Sequence, residues 1–407
     1  SDLFSFGSNE RGQLGRVRGA QYDEVPGMPV LPVAAGDALL LCAAGPSFTA
    51  AVTRAGSLIV WGEHPSTTVR ASPASGASGV GHARSRNAAA GASRPDEAGM
   101  WGEAQALAHL HVANACVGGF HQVAASARGQ LFSWGENAAR QLCRRPANGA
   151  DFDDEAVEVV EEYGLGGDDK GGLLACGGFH TLFSTSDGAL FACGGSARGE
   201  LDEVEAAEES EAGPTSAPPA APGVQPPVGG DDGDLLIRRL DLPSRGTSRL
   251  VALAAGHVHS LALEEGGRLW SWGADTFGQL GRSDPERSRR TYEDVAPGMV
   301  ELKSASTGAG DGGTDAVPRV VRIAAGAHHS LAVTEDGQLW TWGCNAHGQL
   351  GRDHRRQRGG DSSVPAPANL PRSASRVVEA AAGAYHSAVL LDDGRICVFG
   401  DNGSGQL

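Results

Sequence analysis

The sequence predicts an all-β propeller, on three observations. Glycine makes up 60 of the 407 residues, about twice its ordinary share, so the chain turns often. A glycine-delimited unit recurs six times with fixed internal spacing, and residues inside each unit alternate with the period of two that marks a strand. At 41.6 kDa an ordinary chain would divide into two or three domains, but a repeat architecture counts as one. We therefore read 1–407 as a single propeller. Hydrophobic residues at 40% suffice for its core.

The unit is plainest where two segments align almost letter for letter: VALAAGHVHSLALEEGGRLWSWGADTFGQLG from 251 and VRIAAGAHHSLAVTEDGQLWTWGCNAHGQLG from 321. Its first glycine is Gly45, Gly118, Gly177, Gly256, Gly326 or Gly383, and a second closes the W-G pair or its equivalent 17 residues later, at Gly62, Gly135, Gly194, Gly273, Gly343 or Gly400. A turn glycine sits at +11 each time: Gly56, Gly129, Gly188, Gly267, Gly337 and Gly394. Unit-to-unit distances vary between 57 and 79 residues, so length varies only outside the hairpin. His259, Leu261 and Leu263 alternate with Ser260 and Ala262, and Trp270 shares a face with Trp272, which makes the segment a β-hairpin. The +11 glycines should take positive φ in primed turns, whose twist matches the flanking strands. The apolar run before the first glycine supplies another strand and the stretch after GQLG a fourth; four strands per unit suit radially packed blades. No long stripe with period 3.6 supports a helical solenoid.

The pattern G-x-x-H-[ST], D-G-x-L-[WF]-x-W-G and N-x-x-G-Q-L-G resembles the repeat of the regulator of chromosome condensation family. That resemblance implies a seven-bladed propeller without covalent chemistry, and the short N-terminus is similar to the small stand-alone members of the alpha-tubulin-suppressor kind. The family's roles range from exchange factor for a small GTPase to ligase-associated domain and photoreceptor, so fold alone does not choose among them. Three departures stand out. The first full unit has Phe48 where the others have histidine, and Thr67 in place of the GQL glycine; Arg140 replaces that glycine in the next. Residues 3–15 match only the second half of a unit, giving seven W-G-type strands against six G-x-x-H segments. The closing blade is therefore expected to be incomplete. Leu407 falls midway through a GQLG, so we expect the natural protein to continue, and Leu3–Phe6 to lie in one blade with residues 395–400.

Five histidines, His121, His180, His259, His329 and His386, occupy one repeat position. Equivalent positions on different blades are dispersed around an axis, so a metal ring is not expected; each imidazole should bond backbone in its own blade. The W-G tryptophans read as core. No G-x-x-x-x-G-K-[ST] occurs and no local Ser/His/Asp set stands out, so neither a cofactor nor an enzyme is predicted. Seven cysteines without a C-x-x-C pair suggest neither a disulfide framework nor zinc, and read as reduced core thiols.

Net charge is −16, and two stretches, 151–169 and 202–211, hold fifteen acids and no base. The remainder is nearly neutral, which argues against a nucleic-acid-binding body. Arginines at 282, 287, 289 and 290 and at 352, 355, 356 and 358 make later linkers basic. No apolar run approaches a membrane span and no signal segment opens the chain, so the expectation is a soluble protein of cytoplasm and nucleus. Residues near 65–100, 202–234 and 282–318 read as low-complexity or disordered insertions. The 151–162 loop differs: Asp151, Phe152, Asp153, Asp154 and Glu155 combine charge with apolar area, and are the candidate site for a basic protein partner. The functional reading is a protein-interaction scaffold; its rivals are a guanine-nucleotide exchange factor for a small GTPase and a chromatin-docking factor.

Overall fold

The structure is a computed structural model, and it describes residues 3, 5–8, 22–27, 37–46, 48–62, 101–103, 111–144, 152–159, 172–185, 187–195, 237–243, 248–282, 295–303, 317–352, 362–371 and 375–407. Of the expected insertions, 65–100 and 202–234 lie outside these residues.

Among the described residues there are twenty-five strands and no helix. Blade A is β3 (Leu39–Ala44), β4 (Phe48–Thr53), β5 (Leu58–Gly62) and β6 (Trp101–Glu103). Blade B is β7 (Val112–Val117), β8 (His121–Ser126), β9 (Leu131–Glu136) and β10 (Phe152–Glu158). Blade C is β11 (Leu174–Cys176), β12 (His180–Ser184), β13 (Leu190–Gly194) and β14 (Arg238–Leu240). Blade D is β15 (Leu250–Ala255), β16 (His259–Glu264), β17 (Leu269–Gly273) and β18 (Val295–Val300). Blade E is β19 (Val320–Ala325), β20 (His329–Thr334), β21 (Leu339–Gly343) and β22 (Ser362–Pro367), and blade F is β23 (Val377–Ala382), β24 (His386–Leu391) and β25 (Ile396–Gly400). Each is an antiparallel meander. The seventh W-G-type strand, β1 (Ser5–Ser8), pairs only with β2 (Tyr22–Gly27) in a two-stranded sheet.

The propeller therefore has six blades, not the expected seven. The reason is local: residues 3–27 carry only the W-G half of a unit and the strand after it, so they supply two strands and no G-x-x-H pair. Nor do the ends share a sheet. Leu3 packs on Ala51, Ile59 and Trp61 of blade A, while β23–β25 form their own sheet. Among the described residues blade F exposes what its neighbour buries: Ile396 is 69% exposed where its equivalent Leu339 is 2% exposed.

Register is uniform. Phe48↔Gly62, His121↔Gly135, His180↔Gly194, His259↔Gly273, His329↔Gly343 and His386↔Gly400 are all facing pairs, so the 17-residue spacing is the arc of one hairpin. All six +11 glycines have φ between +81° and +86°. The turn is not primed, however. Gly267 N–H donates to Glu264 O and Glu264 N–H to Arg268 O, closing a three-residue loop in which only the third residue is left-handed.

First strands of successive blades B to F pack on one another, which puts them around the centre. They are half exposed, whereas β16, β17, β20 and β21 are buried on both faces. Leu261, Leu263 and Leu269 of blade D pack against Trp340 and Trp342 of blade E. Small residues on the second strand make room for large ones on the third, as in Ala262↔Trp270 and Ala332↔Trp340. A buried tryptophan removes 150–250 Å² from water, about 4–6 kcal/mol as an upper estimate.

Three further expectations are corrected. Within the 151–162 segment, Phe152–Glu158 is not loop but β10, paired to β9 across a register shift between Asp153 and Val157, and Ala156 and Val159 are buried. Val295–Val300, inside the expected 282–318 insertion, is β18, the fourth strand of blade D. Four cysteines are paired, Cys116 with Cys176 and Cys143 with Cys193, at Cα separations of 5.5 and 5.3 Å. They lie 60 and 50 residues apart, and blade stacking, not local spacing, brings them together.

Candidate partner-binding face

The G-x-x-H turns gather at one end of the ring. Their backbones link blade to blade: Gly119 N–H donates to Gly177 O at 3.0 Å, Gly178 N–H to Gly256 O at 3.0 Å, His257 N–H to Ala327 O at 3.1 Å and Ala327 N–H to Ala384 O at 3.1 Å. Glycine is required here by close approach. A Cβ on Gly118 would stand 2.5 Å from Gly177 O, and one on Gly326 2.5 Å from Gly383 O.

Beneath the turns the repeat histidines latch each blade to the next. His121 Nε2 lies 2.8 Å from Thr181 Oγ1, His180 Nε2 2.9 Å from Ser260 Oγ, His259 Nε2 2.9 Å from Ser330 Oγ and His329 Nε2 3.0 Å from Ser387 Oγ. Thr181, Ser330 and Ser387 each donate their hydroxyl hydrogen, at 2.8 Å, to the carbonyl of Gln141, Gln279 and Gln349 in the preceding blade. A hydroxyl has one hydrogen, so the imidazole must carry its own on Nε2 and donate it. That makes Nε2 the donor, and leaves Nδ1 bare in the neutral ring. Burial first, and the neighbouring imidazoles second, pull His121 down to about 3 and His329 to about 3; His180 falls to about 4. His259 is lowered well below its ordinary value for the same reason. The histidine role expected from the sequence is thus corrected: the partner is the Ser or Thr of the next blade, not backbone of its own. His386, the corresponding residue of blade F, is half-buried.

Above the latches the residues beside the histidines form a continuous aromatic and imidazole rim. Ring centroids run from Phe120 to Phe179 at 6.4 Å, Phe179 to His257 at 5.0 Å, His257 to His328 at 5.7 Å and His328 to Tyr385 at 6.4 Å. Phe277 and His347, from the loops after the third strands, add contacts of 4.9 Å to His328 and 5.2 Å to Tyr385. Phe120 is 45% and Tyr385 40% exposed. Burial lowers the pKa of His257 and His328, so both imidazoles are neutral at pH 7. Asp401 sits 3.4 Å from His347 Nδ1. The sequence reading missed this rim. Its signal was an aromatic or imidazole one residue before the repeat histidine, as at Phe120, Phe179, His328 and Tyr385, or two before it, as at His257, inside a turn that the hairpin alternation does not bury.

Of the candidates around 151–155, residues 152–155 belong to the outermost strand of blade B. Asp153 accepts from Arg144 Nη1 at 2.7 Å, and Arg144 also donates to Ser133 O at 2.9 Å and Ser133 Oγ at 3.1 Å. Asp153 thus tethers its own strand. The side chains of Phe152, Asp154 and Glu155, and all of Asp151, lie outside the described residues. Among the described residues no three His, Cys, Asp or Glu side chains group as metal ligands, and no helix is long and apolar enough to cross a membrane.

Comparison with known proteins agrees with the geometry. The chain is 27% identical over 283 residues to a human protein named probable E3 ubiquitin-protein ligase HERC6, covering 68% of this chain and 22% of that one. It is 27% identical over 293 residues to the mitochondrial RCC1 domain-containing protein RUG3 of Arabidopsis thaliana, covering 72% of this chain and 54% of that one. It thus spans about a fifth of the first relative and about half of the second. Among solved structures, human WBSCR16 superposes with a TM-score of 0.65 at 20% identity, covering 96% of this chain and 81% of that one. Prp20p of Saccharomyces cerevisiae gives 0.64 at 21%, covering 98% and 78%. The family described as RCC1-like domain matches residues 76–407, and the chain belongs to it.

Proposed function

We propose that this chain is a non-enzymatic protein-interaction platform that seats its partner on the aromatic rim. The observation that carries the reading is the unbroken arc from Phe120 to Tyr385, solvent-facing at both ends. Aromatic side chains held rigidly by a scaffold are the residues interfaces use as anchors. The repeat histidines are spent on holding blades together, which supports binding over chemistry.

A second reading, nucleotide exchange on a small GTPase, is favoured by the likeness to Prp20p, a protein described by its binding to Gsp1p and histones. The same description favours a chromatin-docking role. A third contact, of a basic protein surface with Asp151, Phe152, Asp154 and Glu155, would use steering by acidic charge; Asp153 is already engaged by Arg144.

Affinity capture from the source cell with the wild-type chain and with F120S/F179S/Y385S tests these readings. Loss of the captured partners at unchanged melting temperature is expected. Capture that survives the rim changes but is lost on reversing Asp151, Asp154 and Glu155 to lysine would move the site to the outer strand. Accelerated release of fluorescent GDP from any of a panel of small GTPases would select the exchange reading.

A further inference from the structure

We propose that Cys116–Cys176 and Cys143–Cys193 form a reversible, two-bond redox staple confined to the interface between blades B and C. Both pairs join the same two blades and lie in one buried cluster. The internal repeat shows what each cysteine replaces. Cys143 stands at the last glycine of GQLG, the place of Gly281 and Gly351, and keeps their left-handed backbone: φ is +57° against +65° and +60°. Cys193 stands at the second aromatic of the W-x-W-G strand, the place of Trp342 and Phe399. At the interface of D with E, Gly281 lies under the Trp342 indole, so close that a Cβ would be 2.7 Å from Nε1; at the next interface Gly351 lies under Phe399, 2.9 Å from Cε2. Trp342 Nε1 donates to Gln279 O at 2.8 Å, and Cys193 Sγ occupies the same place 3.5 Å from Gln141 O. An aromatic over glycine has been exchanged on both sides at once.

The second pair repeats the logic at a different site. Cys116 is two residues before the first glycine of its unit, Gly118, and Cys176 one before Gly177. The equivalent residues are Ala254 with Ala325 and Ala324 with Ala382, each pair packed against one cluster. Two unrelated facing pairs have become cysteine on both sides at a single interface. The other cysteines, Cys42, Cys344 and Cys397, take no part in either bond.

Closing each bond takes two thiols and a disulfide oxidant of the low-molecular-weight thiol class. One protein thiolate displaces a thiolate from the oxidant to give a mixed disulfide, and the second protein thiolate then displaces the other. The protein loses two electrons and two protons per bond, and the oxidant leaves as two thiols. A dithiol reductant reverses each step. In the reduced state the interface keeps the His121–Thr181–Gln141 latch but has no aromatic to cover residue 143.

The test uses the full chain. Equilibrated with oxidised glutathione and then denatured, it should titrate three thiols, against seven after reduction, and non-reducing peptide mapping should recover 116 with 176 and 143 with 193. Reduction should lower the melting temperature by about 5 °C. Substituting C116A/C143G/C176A/C193W, which restores the residues used at other interfaces, should make melting insensitive to reductant. Seven free thiols under oxidising conditions, other pairings, or a reductant shift that persists in the fourfold variant would overturn the proposal. Should that variant not fold, thiol count and peptide map on the wild type decide alone.

Discussion

At the scale of residues, the histidine latch makes a prediction about acid. His121, His180, His259 and His329 are neutral in the fold and held well below their ordinary 6.5, chiefly by burial. Between pH 6.5 and about 4 the unfolded chain binds protons that the folded chain refuses. Stability is therefore full above pH 6.5 and falls as pH falls, by about 1.4 kcal/mol per pH unit for each such imidazole. Urea titrations at pH 7 and pH 5 should show the loss, and His259→Gln with His329→Gln should flatten the slope. An unchanged slope would separate acid lability from the latches. Ser330→Ala is a sharper probe of the geometry. It strands the Nε2 hydrogen of His259 and leaves the Gln279 carbonyl with the Trp342 indole in place of two donors, and should cost about 1–3 kcal/mol at pH 7.

At the scale of elements, the hairpin is the unit of stability, and its glycines do not all matter equally. Gly337 has φ +82° and a Cβ there would come 2.5 Å from Arg376 Cβ; Gly394 has φ +84° but nothing within 4 Å. Gly394→Val should cost on the order of 1 kcal/mol from backbone strain alone, and Gly337→Val measurably more. Equal melting shifts would contradict the three-residue turn docked on its neighbour. Trp340→Ala should cost about 3–5 kcal/mol, since the indole is buried against the leucines of blade D. These elements were legible in the sequence because a hairpin is local: period-two alternation and the 17-residue glycine spacing specify both strands and their register. What binds one blade to another was not legible. The Ser or Thr that receives each imidazole is 58 to 80 residues away, across linkers of unequal length. The same distance hid the two cysteine pairs. The strand at 152–158 was hidden by its acidic charge and by the register shift between Asp153 and Val157, which breaks the period of two. Rim residues went unread because a turn position carries no periodic pattern; Phe120 and Tyr385 look like core until the blades are assembled.

At the scale of the whole molecule, the fold divides its labour between the two ends of the strands. The ends that carry the G-x-x-H turns hold latches below and an aromatic rim above. The opposite ends hold the D-G turns, where Arg319 donates to Glu265 O at 2.8 Å and Arg376 to Glu335 O, again from one blade to the preceding one. On blade count the repeat pattern misled, because a W-G strand at 5–8 without its G-x-x-H half supplies a two-stranded sheet and not a blade. The central claim, that the rim is where a partner seats, is tested most directly by hydroxyl-radical footprinting of the chain alone and in complex with a captured partner. The account predicts that oxidation of Phe120, Phe179 and Tyr385 falls together on binding while the D-G turns stay accessible. Protection confined to the D-G turns or to residues 152–158, with the three rim residues unchanged, would contradict it.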